Sequence, residues 1–137
     1  SVSSSWVVRE ETFNDLDHFQ FKLNQIQKTN SDKLIAEGYL EPRSLYTSSA
    51  YDKYGNEVRE KRCIHLGVDF WVPATTSVHA LYEGEVVMAV NDKGDKAYGG
   101  MIVLGHNVKD ITFYTLYGHL SKKSIAEVNI GKKINSP

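Results

Sequence analysis

The chain has a single cysteine in 137 residues. Cys63 therefore has no partner for an internal disulfide. No apolar stretch approaches the ~20 residues that a membrane-spanning helix needs. Ser1–Val8 lacks the charged start and apolar core of a secretory signal. There is no basic stripe either, and the formal net charge is −1. Neither nucleic acid nor an anionic membrane is therefore an implied partner. What is present is ordinary for a globular domain: 41% hydrophobic and 24% charged residues in a chain long enough to bury a real core.

Against that background two segments stand out. The first is R-C-I-H-L-G-V-D-F-W at Arg62–Trp71. Leu66, Val68 and Phe70 alternate with His65, Gly67 and Asp69, which predicts a half-buried strand with His and Asp on its open face. A straight strand rises ~3.3 Å per residue, which puts the α-carbons of His65 and Asp69 roughly 13 Å apart. Both side chains bind zinc at only ~2.0–2.2 Å. To share an ion, the chain must bend between them, or His65 must sit just before the strand begins. Gly67 tolerates unusual backbone angles and leaves room above the backbone. The plain alternative is a His and an Asp on a solvated strand face.

The second segment is F-Y-T-L-Y-G-H-L-S at Phe113–Ser121. Alternation places Thr115, Tyr117 and His119 on one strand face, with Leu116, Gly118 and Leu120 on the other. A histidine at a strand end can transfer protons or stabilise developing negative charge. It can equally be a surface residue ending a strand. Cys63, two positions before His65, reads as a small packing residue rather than a ligand. His79 and His106 read as structural.

From about Arg62 to Ile134 the chain resembles a lysostaphin-like (LytM-type) zinc metallopeptidase domain. The matching text is His65-Leu66-Gly67-Val68-Asp69, Pro73-Ala74, Val78-His79-Ala80 and Gly84-Glu85-Val86-Val87. It continues with Tyr98-Gly99, Val103-Leu104-Gly105-His106, Thr115-Leu116-Tyr117-Gly118-His119-Leu120-Ser121 and Gly131. The resemblance implies a small antiparallel β-sandwich or barrel. It makes His65 and Asp69 zinc ligands, and His119 a catalytic residue near the metal. It implies hydrolysis of peptide bonds by zinc-activated water, with cell-wall cross-link peptides as the usual substrates.

The family pattern ends with a His-x-His motif that supplies a catalytic histidine and the third zinc ligand. No His-x-His occurs in this sequence. The expectation is a fragment of a longer protein, inactive as it stands and binding zinc weakly or not at all. An unpaired sheet edge then invites self-association. A narrower resemblance rests on G-Y-L-E-P-R-S-L-Y-T at Gly38–Thr47, followed by the two segments above. It is similar to the middle module of large fusion proteins, between a sugar-kinase-like phosphotransferase and a class III aminotransferase. That context implies flanking domains, a cytoplasmic location, and the alternative of a non-catalytic binding or scaffold module. A typical family member belongs to the cell envelope.

Two parts are expected along the chain. Residues 1–59 form an N-terminal extension, and residues 60–137 the peptidase-like domain. In the extension, Phe13, Leu16, Phe19, Leu23 and Ile26 recur at helical spacing, and Thr12 with Asp15 marks a helix start. The spacing predicts an amphipathic helix over Phe13–Lys28 with His18 facing solvent, then a short second helix at Asp32–Glu37. Gly38, Pro42 and Gly55-Asn56 mark turns in a loop-rich connector that carries Tyr46, Tyr51 and Tyr54. Strands are predicted near 62–71, 78–90 (interrupted at Glu83-Gly84), 101–107 and 111–119. A loop is predicted over Asn91–Gly100.

Overall fold

In a computed structural model the described residues are 15–43, 46, 49–54, 59–94 and 96–137. The chain divides into two compact units, Ser1–Ala74 and Thr75–Pro137. The fold is mostly β with antiparallel pairing throughout the described strands.

The first unit opens its described part with helix α1, Leu16–Thr29. Its start lies later than the spacing suggests, because Asp15 is the cap: its side chain accepts a hydrogen bond from the His18 backbone N–H at 3.0 Å. Such a cap is worth about 1 kcal/mol. Thr12 and Phe13 lie outside the described residues. At the far end Asn30 donates from Nδ2 to the Ile26 carbonyl at 3.1 Å. The buried face is narrower than predicted. Phe19 and Leu23 are buried, whereas Leu16 is exposed, as is His18. Phe19 and Leu23 pack against Ile35 and Trp71, with the Phe19 and Trp71 rings edge to face at 5.0 Å.

After α1 come β1 (Ile35–Ala36), β2 (Glu41–Pro42), a 3₁₀ turn (Ser49–Tyr51), β3 (Asp52–Tyr54) and β4 (Arg59–Lys61). They are followed by β5 (Ile64–His65) and β6 (Phe70–Trp71). The second helix expected at Asp32–Glu37 is instead a turn and strand β1, which pairs Ile35 with Trp71 and Ala36 with Phe70. Tertiary pairing overrides the weak local helix signal here. The strand expected over 62–71 is two short strands separated by Leu66–Asp69. Strand β5 pairs with β2, Glu41 opposite His65 and Pro42 opposite Ile64.

The second unit is a four-stranded sheet in the order β10-β7-β8-β9. Its members are β7 (Gly84–Asp92), β8 (Gly99–Val108), β9 (Ile111–Leu120) and β10 (Lys133–Ile134). Helix α2 (Lys122–Ala126) starts on Ser121, whose side chain accepts from the Ser124 N–H at 3.0 Å. The segment 78–83 is not a strand, so β7 starts only after the predicted interruption and then runs into the expected loop. Val86, Leu104 and Ala80 are the buried apolar centre, joined by Ala89, Ile102, Tyr117, Val128 and Ile134. Burying each of the larger side chains contributes roughly 1.5–3 kcal/mol.

Two β-bulges interrupt this sheet. One lies in β7 between Val86 and Met88, and the other faces β8 between Gly100 and Ile102. At the second, Gly118 and His119 together oppose Met101. A bulge bends its strand and shifts the side-chain alternation by one. Half-buried positions accordingly run Phe113, Thr115, Tyr117 and then Gly118, Leu120, which leaves His119 exposed. The sharing of one face by Thr115, Tyr117 and His119 is therefore corrected by the bulge. It also needs a close crossing: a β-carbon on Gly100 would stand 2.2 Å from the Leu120 carbonyl oxygen. Gly100→Ala should destabilise the second unit by about 1–3 kcal/mol, read as a lower urea midpoint. An unchanged midpoint would mean that the bulge can move aside.

Candidate metal centre

Two short ladders build the site in the first unit. Because β1 pairs with β6 and β2 with β5, residues 37–40 run opposite residues 66–69. The Glu37 N–H donates to the Asp69 carbonyl at 2.9 Å, and the Arg43 N–H to the Cys63 carbonyl at 2.6 Å. These bonds clamp the connector onto the H-x-x-x-D segment. Between the ladders the chain turns through a bend at Gly67. That turn brings His65 Nε2 within 3.4 Å of Asp69 Oδ1, a separation the straight strand cannot reach. Gly67 contributes space rather than an unusual φ. A β-carbon there would stand 3.1 Å from His65 Nε2, so the ring occupies the room that the missing side chain leaves.

The polarity of this segment is the reverse of the one expected. Leu66, Val68 and Phe70 are exposed, while His65, Gly67, Asp69 and Trp71 are half-buried. The polar face turns inward because partners wait for it there. Arg43 Nη2 lies 2.7 Å from His65 Nδ1 and 2.7 Å from Asp69 Oδ2. The same nitrogen contacts Glu37 Oε2, and Arg43 Nη1 contacts the Tyr46 hydroxyl. The guanidinium carbon sits 5.4 Å from the Tyr46 ring centre, and Tyr46 stacks on Tyr51 at 3.9 Å. Buried charge is tolerated only when it is paired in this way. Cys63 is exposed, contrary to a packing role.

Protonation follows from these contacts. Burial pushes Glu37 up to about 7; the Arg43 charge opposes that rise, and a hydrogen bond to Asp69 adds to it. Burial works against the Asp69 charge too, but hydrogen bonds from Arg43 and Glu37 outweigh it and lower its pKa. The proton of this carboxyl pair therefore belongs to Glu37 and the charge to Asp69. Burial opposes the Arg43 charge, and the bonds to Asp69 and Tyr46 more than offset it.

Glu37, His65 and Asp69 offer donor atoms that all lie within 4.8 Å of one another, the group among the described residues that could hold a metal ion. One imidazole nitrogen and two carboxylates are a donor set that zinc accepts. The structure thus brings His65 and Asp69 together. His119 belongs to the second unit, on the bulge described above. Its φ is +56°, left-handed backbone that histidine visits more readily than most residues. Its N–H donates to the Tyr98 carbonyl at 2.7 Å. His106 is almost wholly buried, bonded to the Glu83 carbonyl at 2.8 Å and to Thr115 Oγ1 at 2.7 Å. It is a structural residue, and Gly84 makes room for its ring. His79 is exposed.

Sequence reasoning missed Glu37, Arg43 and Tyr46 as site residues. Their only signal is position: Arg43 and Tyr46 fall in the Gly38–Thr47 run of the narrower resemblance, and Glu37 stands just before it. No spacing rule links residue 37 or 43 to residue 69.

The family model described as Peptidase family M23 matches residues 63–136, more than half of the chain. No curated protein and no solved structure matches.

The raised Glu37 pKa has a definite consequence for stability. Between about 4.5 and about 7 the folded state holds a proton that the unfolded chain has released. The stability it contributes is complete below about 4.5 and is lost as pH rises through about 7. Asp69 acts in the opposite sense, contributing above its ordinary value and losing that contribution in acid. Carbon-13 NMR titration of the Glu37 carboxyl should give a midpoint near 7, and Glu37→Gln should flatten the decline in stability across that range. A Glu37 midpoint near 4.5 would contradict the geometry.

Proposed function

The chain belongs to peptidase family M23, and from that premise we propose that it carries part of the catalytic machinery of a zinc-dependent peptide hydrolase. The supporting observation is the bend that sets His65 Nε2 and Asp69 Oδ1 at 3.4 Å. His65 and Asp69 would hold the ion as two of its protein ligands. A catalytic zinc site uses three such ligands, and Glu37 is the remaining described residue whose carboxylate reaches the same point. A zinc ion held there supplies Lewis acidity toward a peptide carbonyl.

The other roles fall to the chain's own side chains. The clamp between residues 37–43 and 63–69 holds the ligand-bearing bend against the connector. Gly67 leaves the room that the His65 ring occupies, so that Nε2 can face Asp69. His119 is the proton-transfer residue, exposed on a bulge whose backbone sets the direction of its side chain. The substrate class is peptide, and cell-wall-type cross-links are the family's usual form of it. The domain boundaries follow the same reading, with an extension over 1–59 and the peptidase-like domain over 60–137. The connector's Glu37 and Arg43 serve the domain across that boundary.

A second reading, a non-catalytic binding or scaffold module within a larger cytoplasmic fusion, is supported by one observation: a guanidinium already lies among the ligand candidates. Zinc titration distinguishes the two. His65→Ala and Asp69→Ala should each weaken zinc binding about tenfold or more, measured by calorimetry. His119→Ala should leave it unchanged. Loss of binding in His119→Ala would make His119 a ligand, and unchanged binding in His65→Ala would remove the metal centre from this segment.

A further inference from the structure

One nitrogen, Arg43 Nη2, stands at the point on which the ligand candidates converge. Its distances are 2.7 Å to His65 Nδ1 and 2.7 Å to Asp69 Oδ2, with Glu37 Oε2 also in contact. Those three residues are the same group that could hold a metal ion. Arg43 has a side chain only 10% exposed. Three acceptors around a nitrogen that carries two hydrogens resemble the coordination of a cation more than ordinary pairing of a guanidinium.

We propose that Arg43 is a resident occupant of the metal position, so that its guanidinium and a divalent cation exclude one another at His65 and Asp69. This rests on the zinc assignment above and adds a means of regulating it. The exclusion follows from the chemistry of His65. Arginine only donates, so Nδ1 must be the bare nitrogen and Nε2 must carry the hydrogen. A metal on Nε2 needs that hydrogen moved to Nδ1, where it would point at the Arg43 N–H groups. A metal on Nδ1 needs the place that Arg43 already holds. Asp69 is committed in the same way, with Oδ2 on Arg43 and Oδ1 facing His65. Adding two positive charges beside an immobile guanidinium would also be repulsive. Loading therefore requires Arg43 to swing out.

Arg43 is held firmly but not perfectly. Tyr46 supports it through ring and hydroxyl. Among the described residues its Nε is buried without a hydrogen-bond acceptor, a cost that leaving would relieve. An anionic group of a substrate or of a flanking segment is the chemistry that would draw the guanidinium away, since arginine pairs with carboxylates in a forked geometry.

The test compares zinc affinity, by competition with a chromophoric chelator, in the unaltered protein, Arg43→Met and Arg43→Lys, each with and without His65→Ala. Arg43→Met should bind zinc about tenfold or more tighter than the unaltered protein. Arg43→Lys should fall between, and His65→Ala should remove the gain. If Arg43→Met binds no tighter while His65→Ala still weakens binding, the exclusion is overturned and the zinc assignment stands. If His65→Ala changes nothing in any background, the zinc assignment fails and the exclusion with it. Nitrogen-15 NMR of the unaltered protein covers the case in which a variant does not fold. Without metal, His65 should carry its hydrogen on Nε2, and zinc should shift the Arg43 side-chain signals toward those of solvent-exposed arginine. A hydrogen on Nδ1, or Arg43 signals indifferent to bound zinc, would overturn the proposal.

Discussion

Arg43 is the charge around which the first unit is organised. It reaches from the connector to His65, Asp69 and Glu37 at once. Without it, two carboxyl groups and an imidazole would face one another, Glu37 buried and His65 and Asp69 half-buried, which is costly unless one of them changes protonation. With it, the polar face of the H-x-x-x-D segment can turn inward and the apolar face outward. The inversion of that segment follows from this paired cation, which together with burial also leaves the charge on Asp69 and the proton on Glu37.

The second unit rests on a different constraint, two bulges that flank β8, one in β7 opposite Val103 and Leu104 and one in β9 opposite Met101. They let a short antiparallel sheet bend around a small centre of Val86, Leu104 and Ala80. They also decide where His119 stands. A regular strand would place it with Thr115 and Tyr117. The bulge moves it to the exposed side and holds its backbone at a φ of +56°. Backbone in that region is uncommon for a side chain of this size and tends to gather at functional positions.

Some of this was legible in the residues. The alternation around β8 and β9 marked strands, and the H-x-x-x-D spacing with a central glycine demanded a bend. Phe19 and Leu23 could be assigned to a buried helix face from spacing alone, and the peptidase family itself was readable from short motifs. Other features were hidden for definable reasons. Residues 35–36 carry too little local information to choose strand over helix, and pairing with Phe70–Trp71 chose for them. Burial of His65 and Asp69 could not be read from hydropathy, because hydropathy assumes that a charge has no partner.

By itself the sequence determined the elements whose signals are local: the buried Phe19 and Leu23 of α1, strands β8 and β9, and the need for a glycine-centred bend between His65 and Asp69. Only the tertiary structure decided that Glu37 and Arg43 lie against His65 and Asp69, which side of the segment faces inward, and that His119 leaves the regular alternation. Local periodicity records what a residue prefers relative to its sequence neighbours. Charge pairing and bulge register depend on residues 20 or more positions away, or on another strand, and these become neighbours only when the chain has folded.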